Sequence, residues 1–496
     1  MILAHSLGRA ARYYADSPAL SSRGVRVTFR ELHGRVARAA AALSELGLCA
    51  GDRLALLLPN EPEYLELVYA CAWLGVIAVP LNTRLTSVEI DRVLDDARPS
   101  GLIRHSALPA PKAPLPWQLV LDQEPLDHGG GTCAEAIYDP DAVLALIYTS
   151  GTTGRPKGVM LTHAAMLANI DHLNYWVLHR DGGVYLHAAP LFHIADLPFV
   201  FAAPALGVCQ VTAPKFSPDS FCQTVQNDRV TCTVLVPTMI NLLTRFPQLD
   251  RYDLSSLKVL GYGGSPIAPE VIRRVREAFP HLRLLQVYGL SETGFLTALQ
   301  DEEHTSDKLL SCGRPCPGID VRVVDESGSE LGVGRAGEFV ARGANVMRSY
   351  WNNPEETARV FRNGQFRTGD VGYRDADGYL YILDRLKDMI VTGGENVYSG
   401  EVEAVLYEHP AILEAAVFGI PDSTWGELVM ACVVLKPDTV VTIEEIAAHC
   451  RRRLATYKVP RRVELLQGEL PKTGSGKIFK RPLRERYWSG QGRAVG

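Results

Sequence analysis

Short apolar runs with no polar alternation, separated by stretches of helical spacing, constrain this chain more than any other feature. Residues 53–58 (Arg-Leu-Ala-Leu-Leu-Leu) and 76–79 (Val-Ile-Ala-Val) are two of them. A strand of this kind needs cover on both faces, which is what parallel strands between helices receive. A helix is predicted over 62–74, between the two runs. The same succession recurs at 119–121, 184–186, 208–211, 232–236, 258–260 and 284–287, with helices expected over 164–176 and 269–279. An earlier helix opens on the capping box Thr28-Phe-Arg-Glu31 and carries Leu32, Val36, Ala39 and Leu43 at helical spacing. Gly47 ends it, and Gly51-Asp52 turns the chain into the first strand. The pattern predicts α/β layers with largely parallel sheets.

From about residue 313 to 383 the texture changes. Short strands at 320–324, 337–341 and 379–382 alternate with Gly, Asp and Asn turns, which predicts a small barrel-like sheet. The charged link 384–388 (Asp-Arg-Leu-Lys-Asp) follows, then a βαβ-like tail with helices over 402–407 and 443–454 and strands at 415–418 and 430–435. A chain of 496 residues exceeds one ordinary core. The boundary is placed at Lys387, giving domains 1–386 and 387–496.

Composition excludes more than it assigns. A net charge of −5 gives no reason to expect nucleic acid or an anionic membrane as partner. The ten cysteines form no Cys-x-x-Cys, and Cys312 and Cys316 lack a second ligand pair, so buried thiols in a reducing compartment are expected. The N-terminus has no charged stretch followed by a long apolar core. The apolar run 67–79 is too short to span a bilayer, and 197–211 is interrupted by Pro198, Pro204 and Gln210. Both are read as core, and a cytoplasmic location is expected.

Residues 148–163 are the chemically densest stretch. The apolar run 142–148 empties into Thr149, Ser150, Gly151, Thr152, Thr153 and Gly154, followed by Lys157 and Gly158. Small hydroxyl-bearing and glycine residues present N–H and O–H donors to an anion, and the lysine supplies counter-charge. A polyphosphate fits such a loop. It is not a P-loop, because Pro156 stands where that motif requires its second glycine.

Further clusters follow strand-like runs. His193 closes Pro-Leu-Phe-His, and Gly261, Gly263 and Gly264 surround Tyr262, where bare backbone admits a flat ring. In 286–294, Tyr288 offers a stacking face, Ser291 a phosphate donor and Glu292 a hard oxygen for Mg²⁺; the same stretch would also serve as a strand-to-helix cap. Asp370, in Phe-Arg-Thr-Gly-Asp, suits a pair of ribose hydroxyls or is a simple turn acid. Lys477 ends Pro-Lys-Thr-Gly-Ser-Gly-Lys, a glycine loop or a basic surface loop.

In order and spacing these clusters resemble the adenylate-forming superfamily of acyl-CoA synthetases, luciferases and peptide-synthetase adenylation domains. The resemblance covers essentially the whole chain and falls in the acyl-CoA synthetase branch. It implies a large N-terminal domain of two α/β layered subdomains plus a small distorted β-barrel, with a small mobile α+β C-terminal domain. It implies that 149–157 closes over the β- and γ-phosphates of ATP. Tyr288, beside Gly263, Gly264 and Gly289, would then meet adenine, Asp370 and Arg385 the ribose, Ser291 the α-phosphate and Glu292 the Mg²⁺. Lys477 resembles the lysine that bridges substrate carboxylate and α-phosphate. By the same resemblance Lys387 is a hinge, whose rotation withdraws Lys477 and brings Gly393 and Gly394 to the site, with Trp425 packing on the CoA nucleotide. His193 resembles a gate between carboxylate and thiol tunnel. Ser399 stands where many relatives carry proline and Phe366 where tryptophan is frequent, and only local effects are expected.

The implied activity is an AMP-forming acid:CoA ligase using ATP, Mg²⁺ and coenzyme A. A stand-alone enzyme loading a carrier protein is the alternative. Ile194 follows His193 where amino-acid-activating relatives carry an acid, so an amino acid substrate is disfavoured. His193, Ala195, Val236, Tyr262, Gly264 and Gly289 are expected to line the acyl site. These apolar or small residues fit a medium- to long-chain fatty acid or an aryl or phenylpropenoic acid.

Overall fold

The computed structural model describes residues 3–22, 24–124, 126, 139–150, 156–176, 183–386, 388–393, 395–473 and 477–488. The two expected apolar runs form strands Arg53–Leu57 and Ile77–Pro80, paired in parallel, and the helix between them is Pro62–Leu74. That helix has proline in its first turn and ends on Gly75 at φ 71°, a left-handed position suited to glycine. The capping box at Thr28 opens the helix Phe29–Glu45, whose Leu32, Val36, Ala39 and Leu43 are buried.

Among the described residues there are four sheets. The first sheet has the order Gln118–Val120, Gly101–Arg104, Arg53–Leu57, Ile77–Pro80, Val143–Ser150, Pro156–Thr162. The largest sheet, of nine strands, places Val184–His187, Cys232–Leu235, Val259–Gly263 and Arg283–Leu290 side by side in parallel. Its two ends are antiparallel, formed by Gly294–Leu299 at one and Pro18–Ser22 with Val25–Thr28 at the other. These two sheets are therefore mixed, parallel at their centres and antiparallel where hairpins close them. The apolar run from Leu197 becomes the buried helix Leu197–Ala205 and the strand Cys209–Thr212, as a core reading requires. No helix among the described residues is long and apolar enough to cross a membrane.

Asp320–Val324, Gly337–Arg342, Gln365–Arg374, Phe361–Arg362 and Leu380–Arg385 build the small third sheet. Phe366 in it packs edge-on against Phe361 at 5.6 Å. Residues from Ile390 onward bury their own apolar clusters, one around Val417, Val429 and Ile446 and another around Phe418, Met430 and Leu483. The tail differs from a simple βαβ unit. Ile412–Asp422 and Gly426–Leu435 pair antiparallel as a hairpin, and only then do the helix Ile443–Arg451 and the parallel strand Arg462–Leu466 follow. Lys387, assigned as hinge, lies outside the described residues.

Asn60 stitches the two large sheets together. Its Nδ2 donates to the carbonyls of His187 (3.1 Å) and Ala189 (2.7 Å), and its Oδ1 accepts from the Leu191 amide at 3.0 Å. Asn60→Ala strands three buried polar groups, each costing about 1–3 kcal/mol. The midpoint of urea unfolding, monitored by tryptophan fluorescence, is expected to drop measurably; an unchanged midpoint would refute the role of this contact.

Candidate active site

The glycine- and hydroxyl-rich stretch is flanked by two strands that pair with each other. Thr149 pairs with Lys157 and Ser150 with Pro156 across Val143–Ser150 and Pro156–Thr162, so the strand runs further than the apolar pattern indicates. Gly151, Thr152, Thr153 and Gly154 lie outside the described residues. The Lys157 ammonium forms an ion pair with Glu356 and lies 5.3 Å above the Tyr350 ring. The Tyr350 hydroxyl donates to Glu292 Oε1 at 2.8 Å, and the Met347 amide donates to the Glu292 carbonyl at 2.7 Å. The phosphate-loop lysine and the candidate metal ligand thus share one aromatic neighbour. Neither Tyr350 nor Glu356 has a sequence signal, since each is recognisable only through contacts far along the chain.

Ser291 and Glu292 occupy the tight turn between Arg283–Leu290 and Gly294–Leu299. The Leu290 amide donates to Thr293 Oγ1 at 3.1 Å, closing it. A β-carbon on Gly289 would lie 1.6 Å from the Gly294 carbonyl oxygen, so only glycine fits there. Two residues before the turn ends its strand, Tyr288 donates its hydroxyl to Asp370 Oδ2 at 2.6 Å. Asp370 Oδ1 meets Arg385 Nε at 2.9 Å, and the two residues are direct cross-strand partners. A carboxylate has about four lone-pair positions, so these two bonds leave acceptor capacity for hydroxyl groups. The Tyr288 phenol is held neutral by burial and then by Asp370.

Lys477 enters this site from the C-terminal part of the chain. Gly264 has φ +83°, and a β-carbon on it would lie 3.4 Å from Lys477 Cε and 3.9 Å from Val236 Cγ1. The loop is tied back on itself, with the Thr473 amide donating to the Lys477 carbonyl at 2.7 Å and the Lys477 amide to Thr473 Oγ1 at 3.2 Å. Burial, and next the Arg385 guanidinium, bring the Lys477 ammonium down to about 8, while Asp370 and Glu292 oppose the shift. The His193 imidazole is brought down to about 4 by burial and then by Lys477, so it is neutral at pH 7. Residues 193, 264, 292, 370, 385 and 477 are therefore brought together in space.

His193 is positioned from behind. Its Nδ1 accepts from the Ala195 amide at 3.2 Å. Asp196, completely buried, accepts from Tyr185 Oη at 2.5 Å and meets His187 Nδ1 at 3.0 Å, and His187 Nε2 lies 2.9 Å from Gln210 Oε1. The sequence reading missed this support. The signal available was a histidine and an aspartate inside otherwise apolar runs, since buried polar groups are retained with partners.

One acyl-site expectation needs correction. Tyr262 is completely buried in the apolar cluster around Leu260 and Ile272, with its hydroxyl donating to Gln286 Oε1 at 3.1 Å and 2.8 Å from His304 Nε2. Side chains alternate along a strand, so Gly263 faces away from the side of Tyr262, while Gly264 lies past the end of Val259–Gly263 at φ +83°. Val236, beside Gly264 and Lys477, is the better-placed apolar wall.

Gly393 and Trp425 form a second grouping, built from C-terminal residues alone. The Gly393 amide donates to the Trp425 carbonyl at 2.8 Å, and a β-carbon on Gly393 would lie 2.7 Å from Trp425 Cε3. The Arg461 guanidinium lies 4.4 Å over the indole, which is 42% exposed. The ring's quadrupole attracts the guanidinium to that face. Gly394 lies outside the described residues.

Residues 7–351 match the AMP-binding enzyme model, and 401–477 match the AMP-binding enzyme C-terminal domain. A feruloyl-CoA synthase from an Amycolatopsis species is 40% identical over 97% of this chain and 98% of its own. The long-chain-fatty-acid–CoA ligase FadD13 of Mycobacterium tuberculosis is 36% identical over 94% of each. The solved structure of the amide bond synthetase McbA from Marinactinospora thermotolerans superposes with a TM-score of 0.89 at 32% identity, covering 98% of this chain and 100% of that one. With its sheets arranged as in that structure and both parts of its sequence matched, the chain belongs to the AMP-binding family of adenylate-forming enzymes.

Proposed function

We propose that the chain is an ATP-dependent acid:CoA ligase working in two half-reactions. One observation carries this reading above the others: the Lys477 ammonium lies over Gly264 within the fields of Asp370, Glu292, Arg385 and His193. In the first half-reaction a carboxylate oxygen bonds to the α-phosphorus of ATP, the bond to the bridging oxygen breaks, and pyrophosphate departs. Two anions must approach, and charge builds on the phosphoryl oxygens. Lys477 and Arg385 supply fixed positive charge there, in a site drier than water. Tyr288 offers its ring face to adenine, Asp370 its remaining lone pairs to the ribose, and Ser291 a donor to the α-phosphate. Residues 149–154 and Lys157 receive the departing phosphates once Lys157 leaves Glu356.

Glu292, oriented by Tyr350, is the group that would hold Mg²⁺. Among the described residues there is no cluster of three or more ligating side chains. A single carboxylate suits a cation that arrives with the triphosphate and keeps most of its waters, and such a cation would add charge stabilisation to the phosphates.

In the second half-reaction the CoA thiolate bonds to the acyl carbon and AMP leaves. We place the acceptor's nucleotide on Trp425 and Arg461, with its pantetheine passing Gly393 and Gly394. The change of surroundings is assigned to rotation of 387–496 against 1–386 about Lys387. The likeness to a feruloyl-CoA synthase favours a phenylpropenoic acid over a fatty acid.

A panel of ferulate, coumarate, benzoate, octanoate and palmitate with ATP, Mg²⁺ and CoA is expected to give an acyl-CoA, fastest with the phenylpropenoic acids. Adenylate without thioester would favour carrier-protein loading. Lys477→Ala should slow adenylation at least about a hundredfold while leaving thioester formation from a supplied acyl adenylate largely intact. Equal losses in both steps would remove the role given to Lys477. The active lysine is the protonated one, so kcat/KM for adenylation should fall as pH rises through about 8, the value to which Lys477 is lowered. Lys477→Arg, which stays charged, should keep whatever activity it retains across that range. A wild-type profile that stays flat well above pH 8 would contradict the assignment.

A further inference from the structure

One buried charge cluster takes no part in the chemistry above. Asp384, at the end of Leu380–Arg385, is buried and accepts two hydrogen bonds from Ser399: the backbone amide binds Oδ2, and the hydroxyl binds Oδ1 at 3.1 Å. Ser399 is completely buried and begins the helix Ser399–Tyr407. Its hydroxyl oxygen accepts from the Lys480 ammonium at 2.6 Å, and Lys480 also pairs with Glu403 at 2.8 Å. A hydroxyl has one donor and two acceptor positions, so Ser399 can serve both neighbours at once.

Lys480 opens the helix Lys480–Trp488, three residues beyond Lys477. The intervening residues are fixed, with Ile478 bridged to Lys472 and the Phe479 amide donating to the Pro471 carbonyl at 2.7 Å. Four residues after Lys480, on the same helix face, Arg484 pairs with Asp388 at 3.2 Å. Two cations one turn apart thus hold acids at positions 384 and 388, on either side of residue 387. A buried ion pair is a poor source of stability compared with apolar packing, so the role of this cluster is sought in the arrangement that it fixes.

We propose that Ser399 is a positioning residue for adenylation: its hydroxyl joins Asp384 to Lys480 and so couples the segment around residue 387 to the loop that places Lys477 over Gly264. The effect of serine here is then not confined to its surroundings. The proposal rests on the roles given above to Lys477 and residue 387.

The test compares Ser399→Ala, which removes the bridge, with Ser399→Thr, which keeps a hydroxyl. The readouts are ATP–pyrophosphate exchange with the fastest acid of the panel, thioester formation from the matching synthetic acyl adenylate plus CoA, and Tm. The alanine variant is expected to lose about tenfold in the exchange kcat, the scale of one charge-assisted hydrogen bond. KM for ATP, the thioester step and Tm should stay close to wild type, and threonine should recover most of the loss. Proportional losses in both half-reactions, or an unchanged exchange rate, would overturn the proposal. If the unmodified protein exchanges pyrophosphate but makes no thioester, the CoA reading fails, and Ser399 is judged on exchange loss at constant Tm. Should the alanine variant misfold, Arg484→Gln, at the other clasp, is judged by the same criteria.

Discussion

The carboxylate of Asp370 is the point on which the site is assembled. It is 3% exposed, and a carboxylate taken that far from water costs several kcal/mol unless charge and donors surround it. Its two close partners come from different sheets. Tyr288 belongs to the nine-stranded sheet and Arg385 to the small third sheet. Satisfying one acid therefore fixes how the two layers meet. Arg385 also stands two residues before position 387, so the same contact sets where the chain leaves for its C-terminal part.

Much of the fold was legible because its strands are buried on both faces. Such strands read as uninterrupted apolar runs, and those at 53–57, 77–80, 232–235 and 259–263 fall where the runs predicted them. The strand Pro156–Thr162 was not legible. It begins with proline, lysine and glycine, and it exists because it pairs with Val143–Ser150 and bonds across to residues 348 and 349. The tail was misjudged in a related way. Its strands were located, but two apolar runs separated by a short polar turn do not say whether they close a hairpin or flank a crossover.

The site was legible in its conspicuous residues and hidden in their supports. Lys477, Asp370, Arg385, Glu292 and His193 stand in recognisable local patterns and converge in space. Glu356 is 199 residues from Lys157, and Asn60 is more than a hundred from the carbonyls it binds. No local pattern encodes such pairings. Tyr262 shows the complementary case: its ring is completely buried and its hydroxyl is bonded to Gln286, which its adjacency to Gly263 and Gly264 in sequence does not reveal.

The ion pair between Lys157 and Glu356 gives the hairpin lysine an anion to hold before any phosphate arrives. On the role proposed for Lys157, a polyphosphate would have to take the lysine from Glu356, and its affinity would reflect the difference between the two pairings. AMP, with no β- or γ-phosphate, would not compete for the lysine. Glu356, by reclaiming it, would then disfavour the return of pyrophosphate.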